Sequence, residues 1–210
     1  SYANRPTSEP ALPRVIHGFA FQPYQKDQDA IAGEAPTPAQ IDADLKLLAG
    51  TTRAVRTYSS IGTLGEIPAL ARKHGLKVML GSWIDSDRER NDREVEAVIR
   101  LANPNRNVTR ILVGNEVVLR GDLPVDDLIA HLDRVRAATG QPVSTAEPWH
   151  VWIKHPELVA HVDFITVHML PYWEGVEVEA AVGYVVAKLG EVRDAFPRKP
   201  IVIGEVGWPS

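Results

Sequence analysis

The chain has 210 residues, 44% hydrophobic and 24% charged, enough for one sizeable domain with a real core. Its formal net charge is −4 with both signs mixed along the chain, which excludes the basic footprint of a nucleic-acid binder and any polybasic membrane patch. There is no cysteine, so disulfides and thiolate chemistry are ruled out, and no apolar run reaches the ~18 residues of a membrane-spanning helix.

Residues 1–14 (SYANRPTSEPALPR) are polar, hold three prolines and lack the apolar middle of a signal peptide, so they read as an extended lead-in to a domain covering 15–210. VIHGFAF (15–21) is the first strand. After a loop carrying Tyr24, Thr37 and Gln40 stand at capping-box spacing around Pro38, and Ile41, Leu45 and Leu48 share one helical face up to Gly50. The pattern then repeats. AVRTY (54–58) leads to a helix with Ile67, Leu70 and Ala71 inward, and KVMLGSW (77–83) to one with Val95, Val98, Ile99 and Ala102 inward. RILVGNE (110–116) precedes a helix over about 125–139, and PVSTAE (142–147) a short turn at 156–161. DFITVHM (163–169) precedes a long helix whose Val182, Val185, Leu189, Val192 and Phe196 alternate three and four apart, and PIVIGE (200–205) closes the series. The charge run 85–94 reads as a solvated helix entry.

Seven strands alternating with helices imply right-handed crossovers and a parallel sheet, either doubly wound or a TIM barrel. GFAFQPYQKD after the first strand is no glycine-rich phosphate turn, and polar or aromatic residues end nearly every strand, so an α/β (β/α)8 barrel is favoured. A closed barrel needs eight strands. Seven would leave two unpaired edges, so the natural protein is expected to continue past Ser210 with an eighth strand and helix.

The strand tips collect Phe21, Gln22 and Tyr24; Tyr58; Trp83 and Asp85; Asn115 and Glu116; Glu147 and Trp149; His168, Tyr172 and Trp173; and Glu205 and Trp208. All five tryptophans (83, 149, 152, 173, 208) are expected in loops on this face, where flat rings beside carboxylates and amides suit a sugar cleft. Glu116 and Glu205 end the fourth and seventh strands, each closely preceded by glycine. They would face each other across the mouth as the carboxylate pair of a glycosidase, close together in a retaining enzyme and wider apart in an inverting one. Glu147 is open to two readings, a sugar-hydroxyl contact or a charge partner tuning Glu116 or Glu205. Asp85 is equally a helix cap or a ligand. No histidine pair has metal-site spacing, no cofactor is expected, and His17, His74, His131 and His161 read as structural or exposed.

GNE (114–116) and GEVGWPS (204–210) resemble glycoside hydrolase family 17, the retaining β-1,3-glucanases and β-1,3-glucanosyltransferases of clan A, and the resemblance runs from Gly18 to the end. RTYS (56–59), STAEPW (144–149) and VHMLPYW (167–173) look most like its bacterial branch. The resemblance implies Glu116 as general acid/base, with its pKa raised by the neighbouring carboxylate, and Glu205 as nucleophile. It implies Asn115 as the residue that hydrogen-bonds the 2-hydroxyl of the sugar, with Tyr58, His168 and Tyr172 lining the same subsite. It further implies a β-glucan substrate, a periplasmic or extracellular location, a monomer, and for some members association with or fusion to a membrane glycan synthase. Hydrolysis and transglycosylation both remain open. A non-catalytic glycan-binding domain is the alternative. Metal-assisted enolate chemistry ranks last, because no lysine ends a strand.

Overall fold

A computed structural model describes residues 16–26, 28 and 33–208; the expected lead-in and Val15 lie outside them. Seven strands form one all-parallel sheet in the order β1 to β7: Phe19–Ala20, Ala54–Arg56, Lys77–Ser82, Val108–Asn115, Val143–Pro148, Ile165–Met169 and Ile201–Val206. The helices are α1 (Pro38–Leu48), α2 (Ile67–Lys73), α3 (Arg88–Ala102), α4 (Val117–Arg120), α5 (Val125–Ala138), α6 (Trp149–Lys154) and α7 (Val178–Ala195). Each strand pairs only with its neighbours in sequence, as in a (β/α) barrel followed around its circumference, and among the described residues β1 and β7 do not pair with each other.

Most elements form for the reasons legible in the chain. The α1 capping box is present, with Thr37 accepting the Gln40 amide and the Gln40 side chain accepting the Thr37 amide. Ile111 and Val113 of β4 pack outward into the main core beneath the helices. Leu112, Ala146 and Phe164, with Met79 and Val202 against them, form a separate small cluster that fills the barrel interior beneath the mouth.

Three expectations change. The first strand shrinks to two residues plus one isolated bridge, Ile16 to Thr52. Trp149 to Lys154 form a helix directly after β5, and Trp152 is fully buried with its indole N–H donating to the Thr166 carbonyl (2.9 Å), so it is core and not rim. The run 85–94 is only partly solvated. Asn91 and Glu94 are buried, Asn91 bonding the Asp85 backbone (2.7 and 3.0 Å) and Glu94 receiving the Ser60 amide (2.8 Å) and the Ser59 hydroxyl. On α7, Val178, Val182 and Val186 form an exposed apolar stripe. Apolar periodicity marks the face of α7 that can be buried, and here no described element covers that side.

Candidate active site

β4 and β7 bring Glu116 and Glu205 to the same mouth, and His168 from β6 stands between them. Its Nδ1 is 2.8 Å from Glu116 Oε1 and its Nε2 is 3.7 Å from Glu205 Oε1. The imidazole thus stands between the two carboxylates and is hydrogen-bonded to Glu116. The Nδ1 contact makes that nitrogen the donor, while Nε2 is buried without a hydrogen-bond partner among the described residues. The ring is packed on Gly204. A Cβ there would lie 2.7 Å from Thr166 Cγ2 and 3.1 Å from both Cδ2 and Nε2 of His168. Gly204→Ala should therefore displace the imidazole, lowering stability by about 1–3 kcal/mol and turnover roughly tenfold, as read from denaturant unfolding and kcat.

Glu205 is oriented from across the mouth. Arg56 Nη1 (2.6 Å) and the Tyr58 hydroxyl (2.5 Å) both donate to Oε1, leaving Oε2 without a partner among the described residues. The same guanidinium donates through Nη2 to Asn115 Oδ1, which fixes the amide with its Nδ2 donor available, and it lies 3.7 Å from the centre of the Tyr58 ring. Burial pushes the Tyr58 phenol up, with Arg56 opposing and Glu205 reinforcing the shift. Arg56 is the residue the candidate set lacked. A buried arginine in the middle of the apolar strand AVRTY was the available signal, since such a charge persists only against a partner.

Glu116 has an unusual backbone. Its φ is +55°, making it the one non-glycine residue in the left-handed region among those described, and Gly114 just before it sits at φ +87°. Its carboxyl is held below the ordinary range, first by the His168 hydrogen bond and then by the charges of His168, Arg120 and Arg56, with burial opposing. That reverses the expected sign. The groups nearest Glu116 are donors and cations, and they outweigh any repulsion from a second carboxylate.

The other candidates divide. Glu147 is fully buried and accepts the amides of Val118 (2.8 Å) and Leu119 (3.3 Å), so the sugar-contact reading is not what the structure displays. Burial raises its pKa to about 7, with the charge of Glu116 adding to the rise. Trp83 lies under the Arg120 guanidinium (4.7 Å) and bonds Asp85 (3.1 Å), and Asp85 also ion-pairs with Arg90, so both brace the loop before α3. Asp87 is the cap of that helix. Trp149 donates to Glu174 (3.0 Å) beneath Lys188 Nζ, 4.0 Å from its ring. Tyr172 meets Trp173 (5.1 Å) and Trp208 (5.5 Å) edge to face, and Trp173 is 73% exposed. Trp173, Trp208, Tyr58 and Glu205 border the opening between the unpaired edges of β7 and β1. Tyr24 makes no contact with the carboxylate pair; burial and then Glu94 raise its phenol. Among the described residues, no group of three or more His, Asp or Glu could hold a metal ion, and no helix is long and apolar enough to cross a membrane.

Known proteins resemble this chain in fold and sequence. A family 17 β-1,3-glucanosyltransferase from Rhizomucor miehei superposes with a TM-score of 0.79 at 30% identity, covering 92% of this chain and 72% of that one. An active-site mutant of the R. miehei glucanosyltransferase, in complex with laminaritriose, gives 0.80 at 29% identity, with the same coverage. A glucan 1,3-β-glucosidase from Schizosaccharomyces pombe is 31% identical over 188 residues, which are 80% of this chain and 58% of that protein. A glucan 1,3-β-glucosidase from Arthroderma benhamiae is 26% identical over 192 residues, 85% of this chain and 62% of that protein. The chain thus spans about three fifths of these two curated relatives. All of these organisms are fungi, so the expected placement in a bacterial branch is not supported. Residues 18–210 match the BtgE/BtgC glycoside hydrolase domain, and the chain belongs to that family 17-like family of glycoside hydrolases.

Proposed function

We propose that this chain carries the catalytic centre of a retaining glycosidase acting on β-1,3-glucan by double displacement. The observation that carries the reading is the carboxylate pair itself: two acids from β4 and β7 on either side of one imidazole, one of them pinned through a single oxygen. With Oε1 of Glu205 taken by Arg56 and Tyr58, Oε2 is the atom that attacks the anomeric carbon. The C1–Oε2 bond forms as the glycosidic C1–O bond breaks, and Glu116 gives its proton to the departing oxygen. Glu116 then takes a proton from the incoming water or sugar hydroxyl, whose oxygen displaces Glu205. Acid catalysis requires Glu116 protonated, so bound substrate must add enough desolvation to offset the His168 bond.

Two side chains near the pair support a sugar ligand. Trp173 offers an open ring, and Trp208 Nε1 is a buried donor without a partner among the described residues. Asn115, its Oδ1 held by Arg56, donates through Nδ2 to the sugar 2-hydroxyl in this reading. Because such a polymer does not cross membranes unaided, the reading places the protein outside the cytoplasm. Incubation with linear β-1,3-glucan oligomers, followed by mass spectrometry, tests it. Shorter products alone indicate a hydrolase and longer ones a transferase. Unchanged oligomers would sink the catalytic reading and revive a glycan-binding domain.

A further inference from the structure

Glu147 is a fully buried carboxylate to which the reaction above gives no task. It stands at the end of β5, the strand beside β4, and both of its oxygens are committed to backbone: Oε1 to the Val118 amide and Oε2 to the Leu119 amide. One residue earlier, the Ala146 carbonyl accepts the Glu116 amide at 2.7 Å. The tip of β5 therefore holds the chain just before and just after the left-handed turn that aims the Glu116 side chain. That turn cannot hold itself. Helix α4 spans only four residues, too few to be stable alone, and a glutamate at φ +55° is disfavoured without external support.

We propose that Glu147 is a positioning residue for Glu116, acting through the amides of Val118 and Leu119 to keep the acid/base carboxyl aimed at the departing oxygen. It never touches substrate. An amide side chain at this position cannot replace it. A carboxyl group presents an acceptor lone pair from both oxygens whether or not it is protonated, whereas glutamine turns a donor NH2 toward one of the two N–H groups.

The inference rests on the proposed reaction, so its test reads the acid step apart from the nucleophile. Glu147→Gln is compared with the unaltered protein on a laminari-oligosaccharide, whose leaving group must be protonated, and on a 2,4-dinitrophenyl β-laminaribioside, whose leaving group need not be. Expected is a fall in kcat of about 30-fold on the oligosaccharide with little change in KM, while single-turnover release of dinitrophenolate stays within about threefold. Amide hydrogen exchange at Val118 and Leu119 should rise about tenfold, with Ile111 to Val113 of β4 unchanged. Equal losses on both substrates, or unaltered exchange at Val118 and Leu119, would overturn the proposal. If the unaltered protein turned over neither substrate, the reaction assigned above would fall, and the exchange pattern would still decide whether Glu147 holds this turn.

Discussion

Replacing Glu205 by glutamine lowers kcat on β-1,3-glucan oligomers by about 10⁴-fold or more, because it removes the atom that forms the covalent bond while leaving the cleft in shape. The expected size follows from the geometry. Arg56 and Tyr58 hold Oε1, so catalysis depends on Oε2, and a neutral amide nitrogen at that place is no nucleophile. Glu116→Ala should be damaging in a different way. Acid/base assistance contributes roughly 10² to 10⁴-fold, and its loss can be bypassed in the second step by a small anionic nucleophile that needs no proton removed. Added azide should therefore restore turnover of an activated donor by the Glu116→Ala protein and give the β-glycosyl azide. The Glu205→Ala protein with azide should give the α-anomer in a single displacement. Identical anomers from the two variants, or full activity in Glu205→Gln, would remove the assigned roles.

The second large effect is on stability against pH. Burial raises Glu147 from 4.5 to about 7, so between these values the folded protein holds a proton that the unfolded chain has released. Stability then falls as pH rises across this window, by about 3 kcal/mol in all, and levels off above about 7. Glu116 acts in the opposite sense in a separate window. Its folded pKa lies below 4.5, so the stability it contributes is present above that value and is lost as pH falls through the depressed pKa. Urea unfolding from pH 4 to pH 8 should show the decline in the unaltered protein and a much flatter curve in Glu147→Gln. The comparison rests on the slope, because the variant also loses one backbone hydrogen bond at every pH. Parallel curves would mean that Glu147 ionises freely in the folded state.

What could be read from the residues, and what could not, follows from the range of each interaction. β4 and β7 are legible because short β-branched runs ending in glycine and then glutamate record burial and a strand tip together. The capping box of α1 is legible because both partners lie within four residues. Arg56 is a local anomaly whose meaning depends on Glu205, 149 positions away. Glu147 is harder still, since its partners are backbone amides 28 and 29 positions back, and any residue there would supply them. The sign of the Glu116 shift was misjudged for a related reason. Sequence puts His168 near both acids but does not show that its imidazole bonds Glu116. Trp152 fails for the same reason, an aromatic taken for rim that is core.

The guanidinium of Arg56 has a further consequence. It reaches both Glu205 Oε1 and Asn115 Oδ1, so a side chain from β2 ties the tip of β7 to the tip of β4 across the mouth. Carboxyl groups about 5 to 5.5 Å apart suit covalent catalysis, whereas about 6.5 to 9.5 Å admits a water between them. Only a few ångströms separate those regimes. One guanidinium thus acts as a spacer that limits how far the two strand tips can part.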